Sequence, residues 1–524
     1  MDNYYIRPDP DGRALEIWGY TSQLSYRPGD RVDLRVSTTG THWGYEVGRD
    51  GATCDPMLRQ DGLTGVRQDT PEECSVKGCG WAVSAGFDIP MDWQPGAYLI
   101  TLWADLDDER VEEHHIFFLR RAIGSEPSRY LLLCATPTWL AYNCWGGSSA
   151  YEGVTGPDGR QFSPILSMDR PWSRGFCKLP EGAPRALPDQ STVPGDMARY
   201  PYMEWAYSYG YSKKYASAGW ASYERHFVRW AEAEGYDLEI ATLHDLEADP
   251  DLLDGHACVI FVGHDEYWSA NMRHHLDTWV DAGGRVARFA GNFLWQVRIG
   301  DAGRLMECHK YMATLTDPVM GTDDQSLLTG AWEQPEVGWP GAETFGVNGL
   351  RGVYAGLGKC AGGGPGGFTV YQPGHWAFAD AHLGFGDVLG AQSRVFGYEV
   401  DGLDYEIRNG VPVPLGTDGG TDDMHILAMG LASNIEDNHG VWGETLYIGS
   451  ADAEWAAQAL FGEVTEQTLD RARRGSGMIV HWPKGRGEVF TAATCEWVMG
   501  LSRRDRQIEQ VTHNVLQRFG GQPS

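Results

Sequence analysis

Hydrophobic and polar residues alternate over short stretches between residues 14 and 120, in the period-two pattern that is typical of β-strands. The stretches are LEIWGYTS, RVDLRVST, YEVGRD, GWAVSAGFDI, GAYLITLWADL and HHIFFLRR, and Pro-Gly pairs at 28–29 and 95–96 mark turns between them. This pattern predicts a β-sandwich domain over residues 1–122. Residues 121–129 are polar and include Pro127, so we interpret them as a linker.

From residue 130 onward, short apolar runs alternate with segments of helical periodicity. YLLLCA, DLEIAT, ACVIFVG and GRVARFAG suit buried parallel strands, whereas SYERHFVRWAEAEG and SANMRHHLDTWVDAGG have helical spacing and end at glycine. The alternation predicts an α/β domain over residues 130–520 that is built on a doubly wound parallel sheet. Ligands of such sheets bind beyond the carboxyl ends of the strands.

Two insertions interrupt this predicted core, at residues 173–221 and 310–420. The first is rich in Tyr and Trp, which suits either a lid over a small apolar pocket or a contact between subunits. The second is loop-rich and contains the glycine run CAGGGPGGF at 360–368. Because no helical pattern and no GK[ST] sequence follows this run, we do not interpret it as a phosphate-binding loop.

Composition and charge restrict the partners of the chain. Its 524 residues are 42% hydrophobic and include 21 Trp, which excludes a disordered protein. The 72 Asp and Glu residues outnumber the 42 Lys and Arg residues to give a net charge of −30, which argues against nucleic acid and anionic membranes as partners. No segment resembles a signal peptide and no apolar run approaches about 18 residues, so we expect a cytoplasmic protein.

Polar or aromatic residues follow directly after several of the predicted strands. Tyr142 and Asn143 come after YLLLCA, the sequence HDE at 264–266 follows ACVIFVG, and Asn292 follows GRVARFAG. Because the carboxyl ends of parallel strands share one edge of a sheet, these residues are expected to face one crevice. Each residue also has a purely structural alternative. Asp265 and Glu266 could favour the first turn of a helix, Tyr142 could pack with its hydroxyl hydrogen-bonded, and Asn292 could cap a turn.

Other catalytic templates lack their signals. The sequence has no G-x-S-x-G, H-E-x-x-H or G-x-G-x-x-G followed by a helix, which argues against a serine hydrolase, a zincin and a dinucleotide site. Cys134 or Cys144 with His264 as base is a conceivable thiol nucleophile. Cys74 and Cys79 are compatible with a local disulfide, half of a metal site or two unpaired thiols.

Several motifs together resemble the C-terminal catalytic domain of the N,N-dimethylformamidase large (beta) subunit family. They are AYNCWGGSSAY at 141–151, SMDRPW at 167–172, RWAEAEGYDLEIATLHDL at 229–246, GHDEYWSANMR at 263–273, GGRVARFAGNFLWQVR at 283–298 and GYEVDGLD at 397–404. The resemblance covers about 130–520. It implies a glutamine-amidotransferase-like α/β fold and the hydrolysis of a small tertiary amide at a mononuclear iron held by two Tyr and one Glu.

The same resemblance implies roles for individual residues. When the family's ligand positions are transferred to the matching motifs, the expected iron ligands are Glu266 in HDEYWS, Tyr142 in AYNCW and Tyr151 in SSAY. The loop between the two tyrosines is much shorter here than in the formamidase, and Trp172, which follows DRP, cannot ligate a metal. His264, Asn292 and Glu399 match the family's other active-site positions.

The implied chemistry is coherent. A phenol has an ordinary pKa of about 10, so only a strongly Lewis-acidic ion keeps two phenolates at neutral pH, which favours ferric iron over zinc. We therefore expect an iron-dependent hydrolase that cleaves the C–N bond of a small, N-substituted formamide-like amide by attack of a metal-activated water. His264 or Glu399 is the expected general base, and Asn292 the expected hydrogen-bond donor to the oxyanion.

Two other readings stay open. A β-sandwich with many Trp on an amidotransferase-like core is also similar to trehalose-utilisation-type proteins, which suggests a carbohydrate-binding protein. The aromatic insertion at 173–221 is equally compatible with a noncatalytic assembly subunit. We expect a homo-oligomer, and a small subunit is a further candidate partner because the formamidase large subunit pairs with one.

Overall fold

The computed structural model describes residues 6–153, 163–186, 201–354, 366–397, 399–432 and 452–521. Part of the aromatic insertion, including Tyr200, and most of the glycine run at 360–368 lie outside these ranges. The chain divides into two compact units. The first unit comprises Met1–Ala183, Met203–Gly255 and Ile299–Glu307, and the second comprises Pro184–Tyr202, His256–Arg298 and Cys308–Ser524.

The strands of the described ranges follow the chain in this order: β1 Ile17–Thr21, β2 Ser25–Tyr26, β3 Arg31–Thr38, β4 His42–Asp50, β5 Cys54–Thr64, β6 Ala85–Asp88, β7 Gly96–Leu106, β8 Glu109–Leu119, β9 Tyr130–Cys134, β10 Ile165–Ser167, β11 Leu238–Thr242, β12 Cys258–His264, β13 Tyr267–Ser269, β14 Arg285–Gly291, β15 Trp295–Gly300, β16 Leu305–Glu307, β17 Asn348–Tyr354, β18 Phe368–Val370, β19 Val388–Leu389, β20 Glu399–Gly402, β21 Tyr405–Arg408, β22 Val411–Pro414, β23 His425–Ala432, β24 Gly475–Lys484 and β25 Gly487–Ala492.

The α-helices of the same ranges are α1 Cys74–Lys77, α2 Thr136–Tyr142, α3 Pro201–Tyr209, α4 Glu224–Ala233, α5 Leu243–Ala248, α6 Ala270–Asp281, α7 Ala313–Thr316, α8 Ala342–Phe345, α9 Asp452–Phe461, α10 Glu466–Arg473, α11 Trp497–Ser502 and α12 Arg506–Gly520. Short 3₁₀ turns lie at Asp301–Gly303, Lys310–Met312, Gln325–Leu327 and Trp376–Phe378. Within the described ranges, none of the helices combines the length and the hydrophobicity that crossing a bilayer requires.

The first part of the first unit contains two sheets that share one hydrophobic core. One sheet has the order β1-β3-β6 and the other the order β2-β8-β7-β4-β5. Alternate residues of the strands point to the same face, so Val32, Leu34 and Val36 of β3 are buried together. They join Tyr45, from the other sheet, in a single cluster of buried side chains.

The rest of the first unit carries the α/β pattern that the sequence predicts. Strands β9 and β11 are buried along their whole length and pair in parallel, with Leu132 opposite Ile240. Helix α2 begins two residues after β9, and Pro137 lies in its first turn, where a missing N–H costs nothing. Tyr142 is therefore the last residue of a helix and does not lie just past the strand, where its position after YLLLCA predicts it.

The second unit is built on a large mixed sheet with the strand order β12-β14-β25-β24-β23-β18-β19. β12, β14 and β25 are parallel, as the apolar runs predict for the first two. β24, β23, β18 and β19 continue the sheet in antiparallel pairs, so the sheet is only partly parallel. The reason is local: β24 and β25 are joined by only Gly485 and Arg486, and so short a connection can join only antiparallel neighbours.

Candidate active site

The parallel register of β12 and β14 brings His264 and Asn292 to the same edge of the sheet. His264 is the last residue of β12 and lies opposite Gly291, the last residue of β14, and Asn292 follows at once. Asn292 has a φ of +65°, a left-handed conformation that Asn tolerates better than most residues. The turn therefore starts directly at the end of β14.

Glu399 reaches this edge from a different direction. It is the first residue of β20, which pairs antiparallel with β17, and its carbonyl oxygen accepts a hydrogen bond of 3.1 Å from the Cys495 backbone N–H. Gly291 lies against this contact, because a Cβ there would be 2.5 Å from the Glu399 carbonyl oxygen and 2.8 Å from the Cys495 nitrogen. A side chain at position 291 would therefore displace Glu399 or Cys495.

Four polar side chains meet here, and we call His264, Glu266, Asn292 and Glu399 the His264 cluster. His264 Nε2 lies 2.9 Å from Glu399 Oε2 and 3.3 Å from Glu266 Oε2. Asn292 Nδ2 donates to the same Glu399 oxygen at 2.9 Å. All four residues are at most 7% exposed. For His264 Nε2 to hydrogen-bond to carboxylate oxygens it must carry the ring proton, so its 3.4 Å contact with Asn292 Nδ2 joins two donors.

Glu266 is held by a tryptophan as well as by the histidine. The Trp295 indole N–H donates to Glu266 Oε1 at 2.7 Å, and the Trp295 backbone N–H donates to the Glu266 carbonyl at 2.9 Å. The Trp295 ring packs against Tyr311 and Trp455, each with ring centroids 5.0 Å apart. Packing thus fixes the indole, and the indole fixes the carboxylate.

A buried ion-pair network supports the cluster from behind. Arg288 of β14 donates to Asp265 Oδ1 at 2.6 Å and to Asp401 Oδ2 at 2.8 Å, and Asp401 also accepts the Phe293 backbone N–H at 3.0 Å. Burial opposes the charge of Arg288, but the two carboxylates outweigh it and raise the pKa of the guanidinium. Asp265 thus lies in an ion pair. It does not start a helix, because α6 begins at Ala270 and is capped by Ser269.

The two candidate tyrosine ligands form a pair within the first unit, which we call the tyrosine pair. The ring centroids of Tyr142 and Tyr151 are 4.3 Å apart. The Ala150 N–H donates to the Ala141 carbonyl at 2.8 Å, which ties the short loop back onto the end of α2. Lys214 Nζ lies 4.5 Å from the Tyr151 ring centroid and 5.7 Å from that of Tyr142.

The cysteines give little support to a thiol nucleophile. Burial raises the pKa of the Cys134 thiol well above its ordinary value, whereas reactive cysteines have a lowered pKa. Cys144 Sγ contacts the hydroxyls of Ser173 and Ser212 at 3.4 and 3.2 Å. Cys74 and Cys79 are both free thiols in the described structure.

Sequence reasoning missed one residue beside the His264 cluster. Single ligand atoms of His264, Glu399 and Cys495 lie within 4.8 Å of one another, so these three residues are also a candidate metal site. Cys495 follows β25, which is parallel to β14, and the rule that selected Asn292 would have selected Cys495 too. Burial raises the pKa of its thiol, so a metal would have to displace a proton held firmly there.

A family model, N,N-dimethylformamidase beta subunit-like, C-terminal, matches residues 37–512 of the chain. The chain belongs to this family. The family that the motifs indicated is thereby confirmed. The N,N-dimethylformamidase beta subunit of Paracoccus aminophilus is similar to the chain, with 27% identity over 315 residues. That match covers 56% of this chain but only 36% of the relative, so the chain spans little more than a third of the relative's length.

Two solved structures show short stretches of similarity. One, the apo structure of Bacteroides uniformis beta-glucuronidase 3, has a TM-score of 0.14 and 17% identity, and the match covers 22% of this chain and 13% of that one. The other, a family 123 glycoside hydrolase from Clostridium perfringens, has a TM-score of 0.10 and 10% identity over 25% of this chain and 32% of that one. Both scores are too low to indicate a shared fold.

Proposed function

We propose that this member of the dimethylformamidase-like family is a metal-dependent hydrolase that cleaves the C–N bond of a small, N-substituted formamide-like amide. The observation that carries the proposal is the His264 cluster, in which one imidazole nitrogen faces two carboxylates and an amide in a buried setting. Buried groups of this kind are candidates for acid–base chemistry. Family membership supplies the reaction class.

For the metal we propose a mononuclear ferric iron, with Tyr142, Tyr151 and Glu266 as ligands. The donor chemistry fits, since all three offer hard oxygen atoms of the kind that ferric iron favours. The ammonium of Lys214 beside the tyrosine pair would favour ionised phenolates. Such an ion, when bound, polarises an amide carbonyl and lowers the pKa of a water molecule.

The protein's own groups would then handle the protons. Glu399 would accept the proton of the attacking water and return it to the leaving amine. His264 would act as the base instead only after its Nε2 proton had passed to Glu399 across their 2.9 Å contact. Asn292 Nδ2 has two hydrogens, of which Glu399 takes one. The second would be left for the oxyanion that develops on the amide.

We also propose a domain arrangement and subunit partners for the chain. We propose that residues 1–122 form a β-sandwich and residues 130–520 a glutamine-amidotransferase-like domain. The matched relative is named as a beta subunit, so a second, smaller subunit is a candidate partner alongside a homo-oligomer. Size measurement of the purified chain alone, and after mixing with a candidate small subunit, would test this part.

The test of function combines metal analysis, a visible spectrum and a screen of small amides for amine release. We expect near-stoichiometric iron, a visible band from phenolate-to-iron charge transfer, and hydrolysis of an N-substituted formamide. Tyr142→Phe and Glu266→Gln should lose the iron, the band and the activity together. Tyr98→Phe is the matched control, because Tyr98 is also a buried tyrosine of the first unit but its hydroxyl donates to the Gln94 carbonyl.

Two results would contradict the proposal. If Tyr142→Phe and Glu266→Gln both kept metal and activity, the ligand assignment would be wrong. If the purified protein held zinc that was lost in Cys495→Ser but not in Tyr142→Phe, the metal would belong to His264, Glu399 and Cys495 instead.

A further inference from the structure

Cys74 and Cys79 are two buried thiols of the first unit that the proposed hydrolase does not use. Cys74 begins the one-turn helix α1, and Cys79 lies two residues after its end. Their thiols hydrogen-bond to each other and pack in one cluster with Trp18, Trp81 and Trp145. Both are free thiols in the structure. We call Cys74 and Cys79 the thiol pair.

Backbone hydrogen bonds fix the chain around the thiol pair. The Gly78 N–H donates to the Cys74 carbonyl at 2.9 Å, and the Cys79 N–H donates to the Asp169 carbonyl at 2.8 Å. Gly78 has a φ of +81°, a left-handed conformation that glycine adopts without strain. This turn brings the two thiols together although four residues separate them in the sequence.

A buried arginine lies beside the thiol pair. Arg170 is 2% exposed. Its Nε donates to the Ser167 carbonyl at 3.0 Å, and its Nη1 donates to the carbonyls of Trp145 and Ser148. Its Nη2 has no hydrogen-bond partner among the described residues. The neutral carbonyls hold the guanidinium in place but do not balance its charge.

The surroundings of Arg170 offer thiols where a carboxylate would be expected. Burial lowers the pKa of Arg170 to about 10, so the side chain is still charged at neutral pH. Among the described residues, the neighbours that stabilise this charge are the thiols of Cys74, Cys79 and Cys144, and no carboxylate pairs with it. A buried charge without a counter-charge is costly. A thiolate at Cys74 would supply that counter-charge.

The two members of the thiol pair differ in how readily they ionise. The hydrogen bond from Cys79 lowers the pKa of Cys74 in spite of burial, and the charge of Arg170 lowers it further. Burial raises the pKa of Cys79, and the neighbouring Cys74 raises it further. Among the described cysteines whose pKa is shifted, Cys74 alone has a lowered pKa. A lowered pKa beside a positive charge is typical of reactive cysteines.

The segment that carries the thiol pair runs along the surface. Glu73 and Gly80 are exposed, so each cysteine has an exposed neighbour in the sequence, and Lys77 of α1 is exposed as well. Helices as short as α1 have little stability of their own. Local opening of this single turn would admit a molecule as small as hydrogen peroxide.

The thiol pair also lies against the loop that joins Tyr142 and Tyr151. Cys74 Sγ is 3.8 Å from the Gly146 carbonyl oxygen, and a Cβ at Gly146 would be 2.6 Å from the same sulfur. Cys74, Cys79 and Arg170 are neither proposed iron ligands nor members of the His264 cluster. An inference about the thiol pair is therefore independent of the proposed hydrolase.

We propose that the thiol pair is a redox-active site that hydrogen peroxide oxidises to a disulfide. The Cys74 thiolate attacks one peroxide oxygen and the O–O bond breaks, which leaves a sulfenic acid on Cys74 and a hydroxide that takes up a proton to form water. The Cys79 sulfur then attacks the Cys74 sulfur, the S–O bond breaks, and the Cys79 proton leaves with the hydroxyl as a second water. The two sulfurs lose two electrons and one peroxide is reduced to two water molecules. Thiol–disulfide exchange with a small dithiol reverses the oxidation.

Peroxide treatment of the native, full-length chain tests this inference. The remaining thiols are alkylated with N-ethylmaleimide in denaturant, and the chain is digested with trypsin. Trypsin cuts after Lys77, so a disulfide between Cys74 and Cys79 joins two peptides that dithiothreitol separates. We expect mass spectrometry to detect this linked pair at peroxide concentrations that leave Cys54, an exposed cysteine with a raised pKa, as a free thiol.

Three variants test the role of each group. In Cys79→Ser the sulfenic acid on Cys74 has no thiol to react with, so dimedone should label Cys74. In Cys74→Ser dimedone should not label Cys79. Arg170→Met should slow disulfide formation by about 3-fold or more, because the pKa of Cys74 rises by about one unit or more and the greater nucleophilicity of the thiolate offsets only part of the loss.

Cys54→Ser is the matched control, because it removes an exposed cysteine and should leave the yield of the disulfide unchanged. The two variants of the thiol pair keep the test valid if Arg170→Met fails to fold. The inference would be overturned if Cys74 and Cys79 remained thiols in an excess of peroxide, or if dimedone labelled Cys79 in Cys74→Ser but not Cys74 in Cys79→Ser. Disulfide formation in Arg170→Met at the rate of the unmodified chain would overturn the role of Arg170.

Discussion

His264 Nε2 lies 2.9 Å from Glu399 Oε2, although the two residues are far apart in the sequence and come from strands of opposite kinds. His264 ends the parallel strand β12, and Glu399 begins β20, which is antiparallel to its neighbour. Gly291 allows this close approach, because any side chain at position 291 would clash with the Glu399 carbonyl oxygen. The contact therefore depends on backbone approach as much as on the two side chains.

Glu399→Gln tests whether this contact serves catalysis. The amide has the size of the carboxylate, so the fold should survive, but it cannot accept a proton from His264 or from water. We expect kcat for amide hydrolysis to fall by about 100-fold or more, the usual worth of a general base, with little change in the unfolding midpoint. Steady-state kinetics and urea denaturation measure the two quantities.

The second unit offers a matched control for this variant. Glu488 Oε2 lies 3.2 Å from His481 Nε2, which is a half-buried histidine–carboxylate contact outside the His264 cluster. Glu488→Gln should leave kcat unchanged. Equal activity in Glu399→Gln and Glu488→Gln would show that the His264–Glu399 contact is structural.

Trp295→Phe tests how firmly Glu266 must be held. Phenylalanine keeps an aromatic ring against Tyr311 and Trp455 but removes the N–H that donates to Glu266 Oε1 at 2.7 Å. Groups that orient a metal ligand from outside its coordination shell are usually worth about 10- to 100-fold in affinity. We expect iron to be lost to a chelator at a correspondingly lower chelator concentration, while the circular dichroism spectrum stays the same. Unchanged iron retention would contradict the assignment of Glu266 as an iron ligand that Trp295 holds in place.

Arg288→Met tests the ion-pair network behind the cluster. The variant leaves Asp265 and Asp401 buried without their guanidinium, which is expected to cost about 3–5 kcal/mol in the free energy of unfolding. The exposed pair of Arg408 and Glu406 provides the control, and Arg408→Met should cost no more than about 1 kcal/mol. Similar unfolding midpoints for the two variants in urea would contradict a supporting role for Arg288.

The parts of the site that sequence reasoning could find are those that follow parallel strands. β12 and β14 are apolar runs flanking a helix that ends near glycines, so the positions of His264 and Asn292 follow from the pattern. Glu399 was reached only through the family motif, because β20 belongs to an antiparallel pair in a loop-rich region. No periodicity could have placed it.

Other features depend on contacts that no local pattern encodes. Arg288 lies in the middle of an apolar strand, and its partner Asp401 is 113 residues away in sequence. The antiparallel half of the sheet is set by the tight connection at Gly485 and Arg486, for which the sequence analysis predicts no hairpin turn. The sequence also predicts Tyr142 beside a strand end, whereas the helix Thr136–Tyr142 moves it about two turns away from that end.

The pH dependence of stability follows from histidines that are buried in the neutral form. Burial lowers the pKa of His115 from 6.5 to about 3, so protonation favours the unfolded chain. The stabilisation is complete above pH 6.5 and is lost as the pH falls from there towards about 3. One such histidine contributes a slope of at most about 1.4 kcal/mol per pH unit over this window.

We expect His115→Gln to flatten the acid side of the curve of unfolding free energy against pH. The control is His42→Gln, at an exposed position on β4, which should leave the curve unchanged. Parallel curves for His115→Gln and the unmodified chain between pH 4 and 6.5 would contradict this assignment, because removal of His115 would then not change the pH dependence of stability.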